Sequence, residues 1–255
     1  MMAALPDVEL LQTPEGLRYL LMRGPDTHGV SQSLRARGSY EPNLQVLASA
    51  LLNANPQPGL VLDIGANLGS FTVPMAKRYA EHRFHCFEVQ PPVFYQLCAN
   101  VLLNSLGNVS AHPFGLAQAA SEIEVPLPVY AEEINIGSFS LDPGMRQGVR
   151  GQEFRGETVT VKVVNLDSLF LENVRLVKID VEGLELEVLK GAAGTLLRCG
   201  FPPILYEAWA FEWYAPKKAA LEAFLQGLGY VALNFDGSEN FVAQHPAFGA
   251  MIGLR

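Results

Sequence analysis

Three apolar runs in this chain each finish in an acid. "LVLDIGANLGSF" (60–71) reaches Asp63, "FHCFE" (84–88) reaches Glu88 and "RLVKID" (175–180) reaches Asp180. A short run with continuous apolar character fits a strand covered on both faces. Between and after these runs lie segments with helical spacing. "YEPNLQVLASALL" is apolar at 44, 47, 48, 51 and 52. "SFTVPMAKRYA", "PPVFYQLCANVLLNS", "LELEVLKGAAGTLLRCG" and "PKKAALEAFLQGLG" read as further helices, the second opened by proline and the third a single helix that stops at glycine. Strands alternating with helices predict a mostly parallel sheet with helices on both faces. Ligands of such sheets lie outside the carboxyl ends of the strands, where the three acids stand.

"VSAHP" and "PILYE" supply two more strands, and "YVALNF", "DGSE" and "NFVAQ" a C-terminal antiparallel hairpin around an Asp-Gly turn. "EIEVPL" reads as an exposed or edge strand, "TVTVKVV" as another strand and "LDSLF" as a short helix. Residues 1–40 carry short alternating segments such as "LRYLLM" and read as an N-terminal hairpin or lid, with one domain over 41–255. The stretch 131–156 is rich in glycine and polar residues, the composition of a long functional loop.

Composition narrows the partners. A net charge of −8 without a Lys/Arg run argues against a nucleic-acid groove or an anionic membrane surface. Cys86, Cys98 and Cys199 are widely spaced among apolar residues and read as buried free thiols. There is no CxxC or HxxxH spacing, and no metal ligand is assigned. The N-terminus lacks the pattern of a signal peptide, and no apolar run approaches the roughly 18 residues that span a bilayer. A cytoplasmic protein is expected.

The turn after the first apolar run has Gly65 and Gly69 with Asn67 between them. Bare glycine admits a ligand to the main chain, and a helix N-terminus offers free N–H groups to an anion. The spacing is neither GxGxxG nor a phosphate loop, which counts against a nucleotide-dependent oxidoreductase. Glu88, 25 positions after Asp63, stands where a carboxylate accepts hydrogen bonds from both hydroxyls of a ribose. The two features together predict a nucleoside whose other end is not a pyrophosphate. S-adenosylmethionine fits.

"VLDIGANLGSF", "FHCFEVQPPVFYQLCANVLLN" and "LVKIDVEGLELEVLKGA" resemble the FkbM-type methyltransferase family, and the resemblance runs from about Tyr40 to the end. It implies an S-adenosylmethionine-dependent enzyme, often an O-methyltransferase, with the class I, Rossmann-like fold: a seven-stranded, mostly parallel sheet closed by an antiparallel hairpin. One departure is Val89, where the family usually has proline. By the resemblance, Asp63, Gly65, Asn67, Gly69, Ser70 and Phe71 shape the methionine end of the cofactor site, with Tyr40 and Asp180 beside it. Glu88 holds the ribose, Val89 lies along the adenine, and Phe114 with Gly115 covers it; Phe114 is equally a plausible core residue.

An alcohol is a poor nucleophile until its proton leaves. Asp180 and Glu182 sit on a strand-end loop and are the expected groups that orient or deprotonate the acceptor, with Glu207 as a second base candidate and His28 and His112 as weaker ones. Glu185 and Glu187 fall in the following helix and read as solvated. The carboxylate pair would also suit Mg²⁺. The expected acceptor is a small molecule or glycan hydroxyl. Its wall is assigned to the N-terminal segment, the 131–156 loop with Asn135 and Ser138, and the aromatic stretch Tyr206, Trp209, Phe211, Trp213 and Tyr214, which could equally serve core packing or a homodimer contact. A non-catalytic cofactor-binding partner or sensor, and N-methylation of a small amine, stand as alternatives.

Overall fold

The computed structural model describes residues 7–23, 29–126, 140–141, 158–235, 237 and 239–253. His28, Asn135, Ser138 and nearly all of the 131–156 loop lie outside them. The chain opens with β1 (Val8–Gln12) and β2 (Arg18–Met22), an antiparallel hairpin, followed by α1 (Val30–Arg37) and α2 (Pro42–Ala54). Then come β3 (Leu60–Ile64), α3 (Thr72–Arg78), β4 (Arg83–Phe87), α4 (Pro91–Leu103) and β5 (Val109–His112). After β6 (Gly115–Leu116), β7 (Ser121–Pro126) and β8 (Thr158–Val164), the chain enters β9 (Val174–Ile179), α5 (Glu185–Lys190) and α6 (Ala193–Arg198). It finishes with β10 (Ile204–Glu207), α7 (Ala215–Gly227), β11 (Val231–Asn234) and β12 (Asn240–Gln244).

The main sheet has the order β11-β12-β10-β9-β3-β4-β5. β5, β4, β3, β9 and β10 run parallel, and β12 is antiparallel to both β10 and β11. This is the seven-stranded α/β sheet with its closing hairpin that the sequence predicts. All five residues of β3 are buried, because helices cover both faces. Val61, Phe84, Leu176 and Leu205 face α2 and α3, while Leu62, Ile64, Val177 and Ile179 face α5, α6 and α7. The chain leaves β3 toward β4 and β5 on one side, and its later strands, β9 and β10, fill the other. The ends of β3 and β9 are therefore a topological switch point, where a crevice opens.

β7 and β8 lie outside the main sheet; with β6 they make a separate three-stranded sheet, order β6-β8-β7, with β7 an edge strand as expected. Two expectations need correction. "LELEVLKGAAGTLLRCG" is two helices rather than one. A Cβ on Gly191 would stand 2.1 Å from the Ala117 carbonyl oxygen, so the chain passes too close there for a side chain. Asp167, in a 3₁₀ turn over Leu166–Leu169, then caps α6 from outside by accepting from the Gly194 and Thr195 amides at 2.9 and 2.5 Å. Of the thiols, Cys86 is buried, whereas Cys98 and Cys199 are half-buried; all three are free. Among the described residues no helix is long and apolar enough to cross a membrane.

The N-terminal hairpin is packed into the domain. Tyr19 and Leu21 are fully buried, and β2 lies along α4.

Candidate active site

The site begins with cross-strand register. Asp63 on β3 pairs with Lys178 on β9 and Cys86 on β4, so alternation puts these three side chains on one face of the sheet. Asp63 is fully buried. Its Oδ2 accepts from Thr72 Oγ1 at 2.6 Å and its Oδ1 lies 3.3 Å from Lys178 Nζ. Lys178 also reaches Asp180 Oδ2 and donates to the Gly65 carbonyl, both at 3.1 Å. Burial works against its charge, but Asp180 and Asp63 outweigh burial and hold the ammonium well above its usual range. Lys178 thus ties the end of β3, the glycine turn and the end of β9 together. The sequence reading missed it. The available signal was a lysine inside an apolar strand, since such a charge is almost always paired.

Gly65 and Ala66 donate to the Phe87 carbonyl at 3.0 Å, joining the turn to the end of β4. A Cβ on Gly65 would overlap the Asp180 carbonyl oxygen at 1.8 Å, and its φ is +79°. Glycine is therefore required by the adjoining strand-end loop. Asn67 takes a left-handed φ of 51°, donates its N–H to Glu88 Oε2 at 3.0 Å and receives Leu68 N–H on its own side chain at 2.7 Å. Glu88 Oε1 accepts from Gln90 N–H at 2.8 Å. Burial pushes the Glu88 carboxyl up to about 7, against the pull of the Gln90 and Asn67 amides.

Two cavities flank this turn and share Gly65, Asn67, Asp180 and Glu182, so they form one trough with a waist. The first is lined by Glu88 and by Ile64, Phe87, Val89, Gly115, Leu116, Leu141, Val181 and Leu184. Apolar walls with Glu88, besides the shared Asp180 and Glu182, suit a flat ring carrying hydroxyls. The second is polar, with Tyr40, Glu41, Ser70, Phe71, Lys178, Glu207 and Asn240 among its walls. Asp63 and Gly69 line neither cavity. Asp63 lies behind the turn, and Gly69, at φ +91°, faces Leu97 and Val73. Phe114 also lines neither; it packs on Phe87 and His112 at ring distances of 5.7 and 5.4 Å.

Asp180, Glu182 and Glu207, the last on the wall of the second cavity, come together, each half-buried, with one carboxylate oxygen apiece within 4.8 Å of the others. A hard divalent cation could share such oxygens. Burial, then Asp180 and Glu185, raises the Glu207 carboxyl well above the usual glutamate range. Tyr40 is likewise raised, by burial and then by Glu41, and stays a phenol. Glu182 at φ 53° and Gly183 at φ 94° make the turn that aims the loop.

Glu185, expected in solvent, is buried. Its Oε1 accepts from the Val181 and Gly183 amides at 3.2 and 3.1 Å, and its Oε2 receives the Tyr214 hydroxyl at 3.1 Å. It clamps the loop that carries Glu182. Glu187 pairs with Lys190 at the surface. His112 sits in an aromatic stack with Phe87 and bonds His85 at 3.2 Å, outside both cavities. Tyr206, Trp209 and Tyr214 are buried core residues; Phe211 and Trp213 stack on each other, half exposed, and line neither cavity. Glu41 and Asn240, which line the second cavity and bond each other at 3.2 Å, escaped sequence reading because 199 residues separate them.

Comparison with known proteins gives a match to the methyltransferase FkbM domain over residues 63–232. "Methyltransferase 1" of Beauveria bassiana is 30% identical over 148 residues, covering 53% of this chain and 59% of that protein. "Methyltransferase sdnD" of Sordaria araneosa is 29% identical over 211 residues, covering 71% and 76%. Among solved structures, the precorrin-6y C5,15-methyltransferase of Geobacter metallireducens aligns over 81% of this chain and 92% of its own, with a TM-score of 0.45 and 14% identity.

Proposed function

Because the chain belongs to the FkbM methyltransferase family, whose cofactor is S-adenosylmethionine, we propose that it transfers a methyl group from that donor to a hydroxyl of a small molecule or glycan. The observation that carries this reading is the two-part trough at the switch point. One half has apolar walls and Glu88, both halves share Asp180 and Glu182, the other adds Glu207, and the Gly65–Asn67 backbone lies between.

The residues fit the donor. Glu88 lines the first half; its oxygens accept from the Asn67 and Gln90 amides, and a carboxylate has lone pairs beyond these for a ribose hydroxyl. Val89 and Leu141 offer apolar surface for the base. Asn67, Ser70, Phe71 and Tyr40 border the half that would receive the amino-acid end. Asp63 and Gly69 act from behind, by fixing Lys178 and the turn. When bound, the donor supplies a methyl group on a positively charged sulfur.

The remaining work belongs to the acids. Asp180 and Glu182 orient the acceptor hydroxyl and receive its proton. Lys178 holds Asp180 in place at 3.1 Å. Glu207, whose carboxyl burial raises above the usual glutamate range, stands beside them as a further polar contact for the acceptor. Four carboxyl groups around one tied lysine also favour a cationic sulfur over an anionic ligand.

The test is incubation with S-adenosylmethionine and a panel of hydroxylated sugars and polyphenols, read by mass spectrometry. One added methyl on oxygen is expected. Asp180→Asn and Glu182→Gln should abolish transfer while S-adenosylhomocysteine still binds; full turnover in either variant removes that residue from the role. Methylation confined to amines would replace the hydroxyl reading with N-transfer.

A further inference from the structure

A row of three buried amides runs along α4 and onto its C-cap at four-residue spacing: Gln96, Asn100 and Asn104. Residues four apart share a helix face, and this face lies against the free edge of β2. Asn104 satisfies Arg18 completely: its Oδ1 accepts the Arg18 N–H at 2.9 Å and its Nδ2 donates to the Arg18 carbonyl at 2.6 Å. The helix thereby stands in for a third strand beside the hairpin. Two residues along β2, the pattern changes. Asn100 Oδ1 accepts the Leu20 N–H at 2.6 Å, but the Leu20 carbonyl is taken by Gln96 Nε2 at 2.9 Å. That division frees the Asn100 amide, which donates instead to the Leu68 carbonyl at 2.8 Å.

Leu68 lies in the glycine turn, between Asn67 and Gly69. Its own N–H is held by Asn67 Oδ1, and the Asn67 N–H is held by Glu88. A fully buried side chain therefore joins the N-terminal hairpin to the backbone that presents Asn67 to both cavities. We propose that Asn100 is a positioning residue for cofactor binding: it transmits hairpin docking to the 65–69 turn without touching the ligand. The proposal rests on the reading that the donor lies along that turn. Asn104 and Gln96 dock the same strand but do not reach the turn. Hairpin stability and cofactor affinity should therefore separate between neighbouring amides of one row.

The experiment uses the full chain, with S-adenosylhomocysteine titrated by calorimetry and thermal unfolding recorded in parallel, for Asn100→Leu, Asn104→Leu and Glu88→Ala. Both asparagine variants should lose thermal stability. Only Asn100→Leu should also weaken binding, by about fivefold or more, an ordinary size for coupling between sites. The Michaelis constant for S-adenosylmethionine should rise with it while turnover at saturation is kept. Equal weakening in both asparagine variants, or wild-type affinity in Asn100→Leu, would overturn the proposal. Should the leucine variant not fold, Asn100→Asp and Asn104→Asp make the same comparison. Both keep the side chain's size and the bond it accepts from β2; Asn100→Asp loses the bond donated to Leu68, and Asn104→Asp those donated to the Arg18 and Asn100 carbonyls. Glu88→Ala separates two failures. If it weakens binding and Asn100→Leu does not, the coupling is absent. If neither does, the donor is not where the reading puts it.

Discussion

Glu88 carries the clearest pH signature at the level of single residues. Its folded carboxyl is raised to about 7 from an ordinary 4.5, chiefly by burial. A group raised on folding adds stability at pH values below its unfolded pKa, and that contribution is lost as pH climbs through the folded value. The ligand-free protein should thus lose this increment between about pH 4.5 and 7. On the proposed reading binding has the opposite trend, because the ribose hydroxyls need the anion. Affinity for S-adenosylhomocysteine should rise with pH and flatten above about 7, falling roughly tenfold per unit below it. Calorimetry across pH checks both limbs, and Glu88→Gln should remove the slope.

Lys178 and Gly65 make stability predictions at the same scale. Lys178→Met leaves Asp63 buried without its cation and should cost about 3–5 kcal/mol in a urea melt. Gly65→Ala meets the Asp180 carbonyl at a left-handed φ and should cost more than about 3 kcal/mol. Asp63, Glu88 and Asp180 could be picked out in the sequence because each ends an apolar run. Lys178 could not be read as their keystone. Its partners sit on strands more than a hundred residues apart in the chain, and only cross-strand register unites them. Glu185 misled for a related reason. Helical position suggested solvent, whereas the left-handed pair Glu182–Gly183 folds the loop back onto it.

Individual elements followed from pattern where burial was simple. Both terminal hairpins and the strands of the main sheet fall where apolar runs and turn residues put them. The break between α5 and α6 does not, because it is caused by the Ala117 backbone and by a cap on a distant turn. Asp167→Ala removes that cap, which also receives Thr195 Oγ1 at 2.7 Å. It should cost about 1–2 kcal/mol of stability by denaturant melt and leave turnover unchanged, since Asp167 lines neither cavity. The hairpin at 8–22 was legible as a hairpin, but its attachment was not. The amides that fasten it look like ordinary polar helix positions until β2 is laid beside them.

At the scale of the whole molecule, strand order decides where chemistry can occur. Five parallel strands with β3 beside β9 open a crevice at their carboxyl ends. The acids proposed for donor binding and catalysis lie there: Glu88 after β4, Asp180 and Glu182 after β9, and Glu207 closing β10. The acceptor wall is the least legible part, since the aromatic stretch fits a wall, a core or a dimer contact equally in sequence, and Tyr206, Trp209 and Tyr214 take the core. The cavity walls that remain are polar and drawn from α2, β9, β10 and β12.

Titration of the purified chain with S-adenosylhomocysteine tests the central claim most directly, beside Glu88→Ala under the same conditions. One site of micromolar affinity, about −8 kcal/mol, and its near-complete loss in the variant are the predicted result. Absence of binding to the wild-type chain, or unchanged affinity without the Glu88 carboxylate, would contradict it.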